Sequence, residues 1–163
     1  MLDILKPGRY INNEWNSVHK RGSDSKLKVA LCFPDIYEIG MSHLGMKILY
    51  GILNNEHDII CERFFVPWVD MEKHMREKKE AILSLESKCP LHEFDIIGFS
   101  LQYEMNYTDV LNMLELGRVP IYSKDRDDSH PIVIAGGACV FNPEPMADFI
   151  DAFVIPLRYL ESF

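Results

Sequence analysis

The sequence predicts an α/β fold, with a five-stranded parallel sheet in the order 2-1-3-4-5 and helices on both faces. Short, continuous apolar runs recur along the chain, as expected for strands buried on both sides. Stretches of helical periodicity separate these runs, which gives strand–helix–strand units and therefore parallel pairing. A chain of 163 residues with 47% hydrophobic residues is long enough for one domain with a buried core.

Five runs predict the strands. They cover residues 29–33, 58–66, 94–100, 131–135 and 151–155. This arrangement is flavodoxin-like, one of the Rossmann-like orders, in which the order reverses between strands 1 and 3.

Helices are predicted where apolar residues recur every three or four positions. They cover residues 41–53 with Ser42 as a possible N-cap, 70–83 with Ile82 facing inward, and 105–116 with Gly117 as C-cap. A Gly-Gly loop and a short helical turn begun by Pro-Glu-Pro connect strands 4 and 5.

Three regions follow from this pattern. Residues 1–26 form a polar leader, expected to lie as a strap across the domain with Tyr10, Ile11 and Trp15 as apolar anchors. Residues 27–155 form the Rossmann-like domain, and residues 156–163 form a short divergent tail.

Composition excludes several functions. The net charge of −8 argues against nucleic-acid binding, which needs clustered Lys and Arg. No apolar run approaches the ~18 residues that cross a membrane, and the N-terminus lacks a signal-peptide core. The four cysteines are scattered without CxxC or CxxxCxxC spacing, so no zinc or iron–sulfur motif is present. We therefore expect a cytoplasmic protein with reduced thiols and no membrane partner.

The candidate binding site lies in the loops after strands 1, 3 and 4. Ligands of such sheets bind beyond the carboxyl ends of the strands, where the strand order reverses. In the first loop, Gly40 and Gly45 allow close backbone approach at a helix start, although a tight turn with a small-residue helix contact is the alternative. The other candidates in this loop are Glu38, Met41, Ser42 and His43.

The loops after strands 3 and 4 supply the remaining candidates. The third-strand loop is predicted either to form a wall for a flat, polar-rimmed ligand or to cap a helix; its candidates are Ser100, Leu101, Gln102, Tyr103 and Glu104. After strand 4, Gly136 and Gly137 would let a large ligand lie against bare backbone, with a plain turn as the alternative. Asn142 and Glu144 complete this set, and no nucleotide or phosphate-loop fingerprint is present.

No catalytic residue and no metal site are predicted. Glu38, Glu104 and Glu144 are expected to accept hydrogen bonds from a ligand rather than to act as an acid–base pair. His43 and Cys139 are isolated potential ligands, and a histidine at a helix start is more often a capping or packing residue.

Five stretches together resemble the N-terminal part of a family of cobalamin-binding radical SAM proteins. They are KPGRYINNEWNS (6–17), FPDIYEIGMSHLGMKILY (33–50), VPWVDME (66–72), SLESKCPLHEFDIIGFSLQYEMNYTDVLNML (84–114) and VIAGGACVFNPEPMADFIDAFVI (133–155). The resemblance implies a Rossmann-like domain that binds cobalamin. It also implies a radical SAM barrel as its partner, either as a following domain or as a separate subunit.

The sequence departs from that family at its C-terminal end. Family members continue after strand 5 with Gly-Glu/Asp-Gly-Glu and the barrel, whereas residues 156–163 read PLRYLESF. The CxxxCxxC motif that holds the [4Fe-4S] cluster and S-adenosylmethionine in full-length relatives is absent. The chain resembles a truncated, frameshifted or split product, and it is not expected to be catalytic alone. A covering helix is expected to be missing, leaving apolar sheet surface exposed.

The second departure concerns cobalt. Cobalamin domains usually carry D-x-H-x-x-G after strand 1, but Met41 and Met46 occupy the Asp and Gly positions around His43. Cobalamin is therefore expected to bind base-off, with His43 not coordinated.

Three functions remain open. The first is a cobalamin-binding-like module that presents the corrin to a barrel, and the second is a cofactor-free module that docks on a separate radical SAM subunit. The third, a nucleotide- or flavin-binding enzyme, is disfavoured because the phosphate fingerprints are missing.

Overall fold

The structure, a computed structural model, describes residues 4–12, 14–20 and 27–155. The strands are β1 (Leu27–Phe33), β2 (Ile59–Phe65), β3 (Ile96–Ser100), β4 (Ile132–Gly136) and β5 (Ala152–Val154). All neighbours pair in parallel in the order β2-β1-β3-β4-β5, so the predicted fold class and strand order are confirmed. The predicted tail and the leader–domain junction at residues 21–26 lie outside the described residues.

Four α-helices accompany the sheet in the described part of the chain. They are α1 (Tyr37–Gly40), α2 (Leu44–Asn55), α3 (Val69–Lys78) and α4 (Tyr107–Leu116). The single turn α1 was not predicted, and a 3-10 turn at Glu104–Asn106 precedes α4. The N-cap of α2 is His43 rather than Ser42, because His43 Nδ1 accepts a hydrogen bond from the Met46 amide at 3.3 Å. None of the helices in the described ranges is long and apolar enough to cross a membrane.

Helix α3 ends five residues before its predicted end. Lys79 adopts a left-handed conformation with φ 56° and terminates the helix. Ile82 is nevertheless buried, since its amide donates to the carbonyl of Leu116 and its side chain enters the core from a loop. The apolar spacing therefore identified a core residue correctly but placed it on the wrong element.

The two sheet faces are covered unequally. On one face, α3 and α4 enclose the larger core through Met75, Val110, Met113 and Leu114. On the other face, α2 packs on β1 and β2 through Met46 and Tyr50.

Beyond α2, this second face leaves alternate residues of β3, β4 and β5 half-buried or exposed. We call this set the open face: Ile96, Gly98, Ser100, Ile132, Ile134, Gly136, Ala152 and Val154. Ile132 is 55% exposed and Val154 57% exposed. Exposed apolar sheet surface, as predicted, is therefore present among the described residues.

Polar contacts hold the leader, and the predicted apolar anchors are wrong for two of three residues. Trp15 is 99% exposed and Ile11 is exposed, whereas the half-buried Tyr10 accepts a hydrogen bond from the Trp68 amide through its hydroxyl. The main attachments are ion pairs that join Arg9 to Glu38 at 2.9 Å and Glu14 to Arg63 at 2.6 Å. The apolar residues of the leader suggested anchors, but the residues that hold the leader are distant in sequence, and local composition does not indicate them.

Along the outer edge of β2, three residues have backbone groups that are hydrogen-bonded without another strand. These residues, whose backbone groups point away from β1, are Ile59, Cys61 and Arg63. Lys20 Nζ donates to the Ile59 carbonyl, and the Asn54 side-chain amide donates to the Cys61 carbonyl and accepts from the Cys61 amide. The Arg63 amide donates to the Glu86 carboxylate, and the Leu85 amide donates to the Arg63 carbonyl. A long strand edge is therefore shielded by side chains and by one loop.

Candidate functional site

The loops after β1 and β3 meet at the carboxyl edge of the sheet. The Tyr103 hydroxyl donates to the Asp35 carboxylate at 2.7 Å, and the Asn106 side chain donates to the carbonyl of Pro34. Asn106 is buried, so this contact fixes the start of α4 against the end of β1. The switch point, where the strand order reverses between β1 and β3, is thus formed by both loops.

The loops after β3 and β4 touch through their backbones. The Leu101 amide donates to the Gly136 carbonyl at 2.7 Å, and the Cys139 amide donates to the Leu101 carbonyl at 3.2 Å. Gly137 has a φ of 110°, and a Cβ there would overlap the Leu101 main chain. Gly137 is therefore required by the protein's own packing, which fits the plain-turn alternative at that position.

The two glycines of the first loop also serve internal packing. A Cβ on Gly40 would overlap the Phe65 ring, and one on Gly45 would lie 2.9 Å from Cε1 of His43. The His43 ring packs against Phe33 with a centroid separation of 5.1 Å. The small-residue contact, given above as the alternative, accounts for both glycines.

The polar side chains of Glu38 and Ser42 in this loop form contacts within the protein. The Glu38 carboxylate pairs with Arg9 and with Lys6, and the Arg9 hydrogen bond is the main cause that lowers the pKa of Glu38. The Ser42 hydroxyl donates to the Ile39 carbonyl at 2.8 Å, and Met41 is half-buried. Glu38 thus holds the leader rather than standing free for a ligand.

The candidates after β3 and β4 separate into two groups. Near the switch point, Gln102 Nε2 donates to Ser100 Oγ at 2.8 Å, and Glu104 lies near Cys139. Asn142 and Glu144 are exposed, and within the described ranges no hydrogen bond joins their side chains to the other candidates. The structure therefore brings together Ser100, Leu101, Gln102, Gly136 and Gly137, whereas the candidates of the first loop contact other parts of the protein and the last two lie apart.

A cavity that the sequence did not predict lies beside the carboxyl end of β2. Its volume is about 230 Å³, and it is enclosed by the leader, β2, α3 and residues 80–88. None of the predicted site residues lines it. One signal was present in the sequence, because two adjacent charged residues, Glu62 and Arg63, interrupt the apolar run of the second predicted strand.

The thiols are held in the protonated form. Burial raises the pKa of Cys32 well above its ordinary value and that of Cys61 to about 12. Within the part of the chain that the structure describes, no three His, Cys, Asp or Glu side chains are placed to hold a metal ion.

Comparisons with known proteins address the family. A family model for the N-terminal region of radical SAM proteins matches residues 45–156, about two thirds of the chain. Uncharacterized protein MJ0966 of Methanocaldococcus jannaschii is 26% identical over 128 residues, which cover 78% of this chain and 23% of that relative. The chain thus corresponds to about a quarter of the relative's length, and no solved structure matches it. Because the family match covers more than half of its residues, the chain belongs to the radical SAM proteins and represents their N-terminal region.

Proposed function

We propose that this domain is a cobalamin-binding-like module that presents the corrin to an iron–sulfur and S-adenosylmethionine barrel outside these residues. One observation carries the proposal: the loops after β1, β3 and β4 meet at the switch point of a sheet in a radical SAM protein. Sheets of this order bind large ligands at that place.

The open face offers room for part of such a ligand. A Cβ built on Gly98 or Gly136 would meet nothing closer than 3.8 Å, so the backbone of β3 and β4 is accessible there. Ser100 and Gln102 add a hydroxyl and an amide at the carboxyl end of the same strands. Gly98, Ser100, Gln102 and Gly136 would hold the ligand, and bound cobalamin would supply a cobalt centre for methyl transfer or radical chemistry.

The surroundings of His43 support binding without a protein ligand to cobalt. Its Nδ1 accepts from the Met46 amide, and its ring packs on Phe33. A metal-bound histidine normally donates through its other nitrogen to an acceptor that fixes its orientation. Here Nδ1 accepts a hydrogen bond from the first turn of α2 instead, so His43 acts as the N-cap of that helix.

Hydroxocobalamin provides the test. We expect the chain to elute from gel filtration with bound corrin and to show a base-off visible spectrum. Gly136→Leu should lose the corrin because its side chain fills the open face. Gly51→Leu is the matched control, since nothing lies within 4 Å of a Cβ at that position. Corrin that fails to co-elute with the unmodified chain, or that is retained equally by Gly136→Leu, contradicts the proposal.

One observation favours a second function, a cofactor-free module that docks on a separate radical SAM subunit. The open face carries exposed Ile132 and Val154, which is unusual for a sheet that faces water alone. Substitution Ile132→Lys separates the two functions, because it should impair docking on such a subunit while leaving Gly98 and Gly136 free for corrin.

A further inference from the structure

The cavity beside β2 has the size of a small-molecule site. Its 230 Å³ would accommodate about eight non-hydrogen atoms, at the ~30 Å³ that a water molecule occupies in the liquid. Most of its wall is apolar and comes from Ile4, Phe65, Met71, Met75, Ile82 and Leu85. The ligand it fits is therefore small and carries an apolar part.

Two arginines in the wall each have an unused donor. Arg9 and Arg63 have side chains that are only 7% and 8% exposed. Nη1 of Arg9 and Nη2 of Arg63 are buried and have no hydrogen-bond partner. A buried charged donor without a partner costs more free energy than a neutral one. Because both residues line the cavity, an acceptor oxygen bound there would supply the partner that these donors lack.

The other guanidinium nitrogens each contact a carboxylate, and these contacts hold the two groups in place. Nε and Nη2 of Arg9 contact Glu38 at 2.9 Å. Nε of Arg63 donates to Glu86 at 2.7 Å, and its Nη1 donates to Glu14 at 2.6 Å. Because these contacts fix both groups, a ligand would meet preorganised donors.

Lys88 adds a positive charge to the same wall. Its Nζ donates to the carbonyls of Tyr10 and Leu85, at 2.6 and 2.9 Å, and forms no ion pair among the described residues. The carboxylates nearest the arginines, from Glu14, Glu38 and Glu86, are already paired with them. Glu80 also lines the cavity but contacts His74 at 3.7 Å. Glu80 in the wall and buried Glu62, which acts on Lys88, offset this charge, so the preference for an anionic ligand rests on the unpaired donors of Arg9 and Arg63.

We propose that this cavity binds a small carboxylate with a short aliphatic chain, its oxygens accepting from Arg9 and Arg63. The aliphatic part would pack against Met71, Met75 and Ile82. This site is separate from the switch point, and the proposal holds whether or not the domain binds cobalamin.

Hexanoate, with eight non-hydrogen atoms, is the probe. We expect isothermal titration calorimetry on the full chain to show binding at one site. Trp68 provides a second readout because the Arg9 guanidinium lies 4.9 Å from its ring centroid. In a Trp15→Phe background it is the sole tryptophan, so its fluorescence should change with hexanoate concentration.

Three variants and one analogue decide the outcome. Arg9→Gln should weaken hexanoate binding about tenfold or more, as expected for loss of a charge-assisted hydrogen bond. Arg76→Gln is the matched control, since Arg76 pairs with two carboxylates on the surface and does not line the cavity. Ala81→Leu should abolish binding by filling the cavity without altering any charge. Hexanamide should bind much more weakly than hexanoate.

The proposal is overturned by any of four results. These are no binding of hexanoate by the unmodified chain, equal binding of hexanamide, an unchanged affinity in Arg9→Gln, or undiminished binding in a folded Ala81→Leu. Circular dichroism of each variant establishes that it is folded. Competition by inorganic phosphate at equal concentration would also overturn the proposal, because it would show an anion site indifferent to the aliphatic chain.

Discussion

Gly137 lies directly against the main chain of Leu101, so the loops after β3 and β4 touch without an intervening side chain. Its φ of 110° is one that side chains rarely adopt. We expect Gly137→Ala to lower the free energy of unfolding by about 3 kcal/mol, from backbone strain and steric overlap together. Urea denaturation followed by circular dichroism measures this change.

Gly51 is the control for that substitution. It lies within α2, and nothing is within 4 Å of a Cβ built on it. Gly51→Ala should raise the free energy of unfolding by about 0.5–1 kcal/mol, because alanine loses less backbone entropy in a helix. Equal losses in both variants would show that the contact with Leu101 does not constrain position 137.

The leader should be released by acid. The Arg9 hydrogen bond lowers the pKa of Glu38 from its ordinary 4.5, and the Leu5 amide lowers the pKa of Asp70 from 3.8. Both carboxyls have a lower pKa in the folded protein than in the unfolded chain. Their contribution to the stability of the attached leader is therefore fully present above the unfolded pKa values and is lost as the pH falls through the folded ones. We expect Trp68 fluorescence in the Trp15→Phe chain to change below about pH 4.5.

Two variants test whether Glu38 causes that transition. Glu38→Gln should already show altered Trp68 fluorescence at neutral pH and should lose most of the change on acidification. Glu77→Gln should show the same acid transition as the parent, because Glu77 lies exposed on α3 and its single ion pair, with Lys73, is long at 3.9 Å. An unchanged transition in Glu38→Gln would rule out this ion pair as the acid-sensitive contact.

His43 should matter for stability rather than for cobalt. His43→Ala removes the acceptor for the Met46 amide and should cost about 1 kcal/mol, whereas His43→Asn keeps a capping side chain and most of the stability. The visible spectrum of bound cob(III)alamin should be the same in both variants. A shift of its bands in His43→Ala would identify His43 as a cobalt ligand.

The open face should promote self-association. We expect Ile132→Lys and Val154→Lys to raise the monomer fraction in light scattering at high concentration, with little change in the unfolding midpoint. Val69→Lys is the control, since Val69 is 68% exposed on α3, away from this face. A parent chain that is monomeric at every concentration tested would show that the face is not adhesive.

The first strand was predictable because a parallel strand buried on both sides needs an unbroken apolar run, as in residues 29–33. The third strand was predictable from a shorter apolar run although only one of its faces is fully buried. Local sequence also located the switch-point loops, because their position follows from strand order alone. The end of α3 was missed because Lys79, rather than a glycine, adopts the left-handed conformation.

The attachments of the leader and the cavity were missed for a different reason. Arg9 meets Glu38 and Glu14 meets Arg63, and nothing in the sequence near either residue specifies these partners. Trp15 was predicted as an anchor from its apolar surface, yet it is exposed. Polar contacts hold the leader instead, from Arg9 and Glu14 before it and from Lys20 after it. A cavity formed by four separate segments has no local pattern that would indicate it.

Because the outer edge of β2 is shielded, another strand could not easily pair with the sheet on that side. Loss of the leader would remove Lys20 from the carbonyl of Ile59, whereas Asn54, Leu85 and Glu86 belong to the domain and would still cover Cys61 and Arg63. Among the described strands, the opposite border is β5, whose three residues offer a short template for an incoming strand. Proteolytic removal of the leader should therefore not turn this sheet into a seed for fibrils.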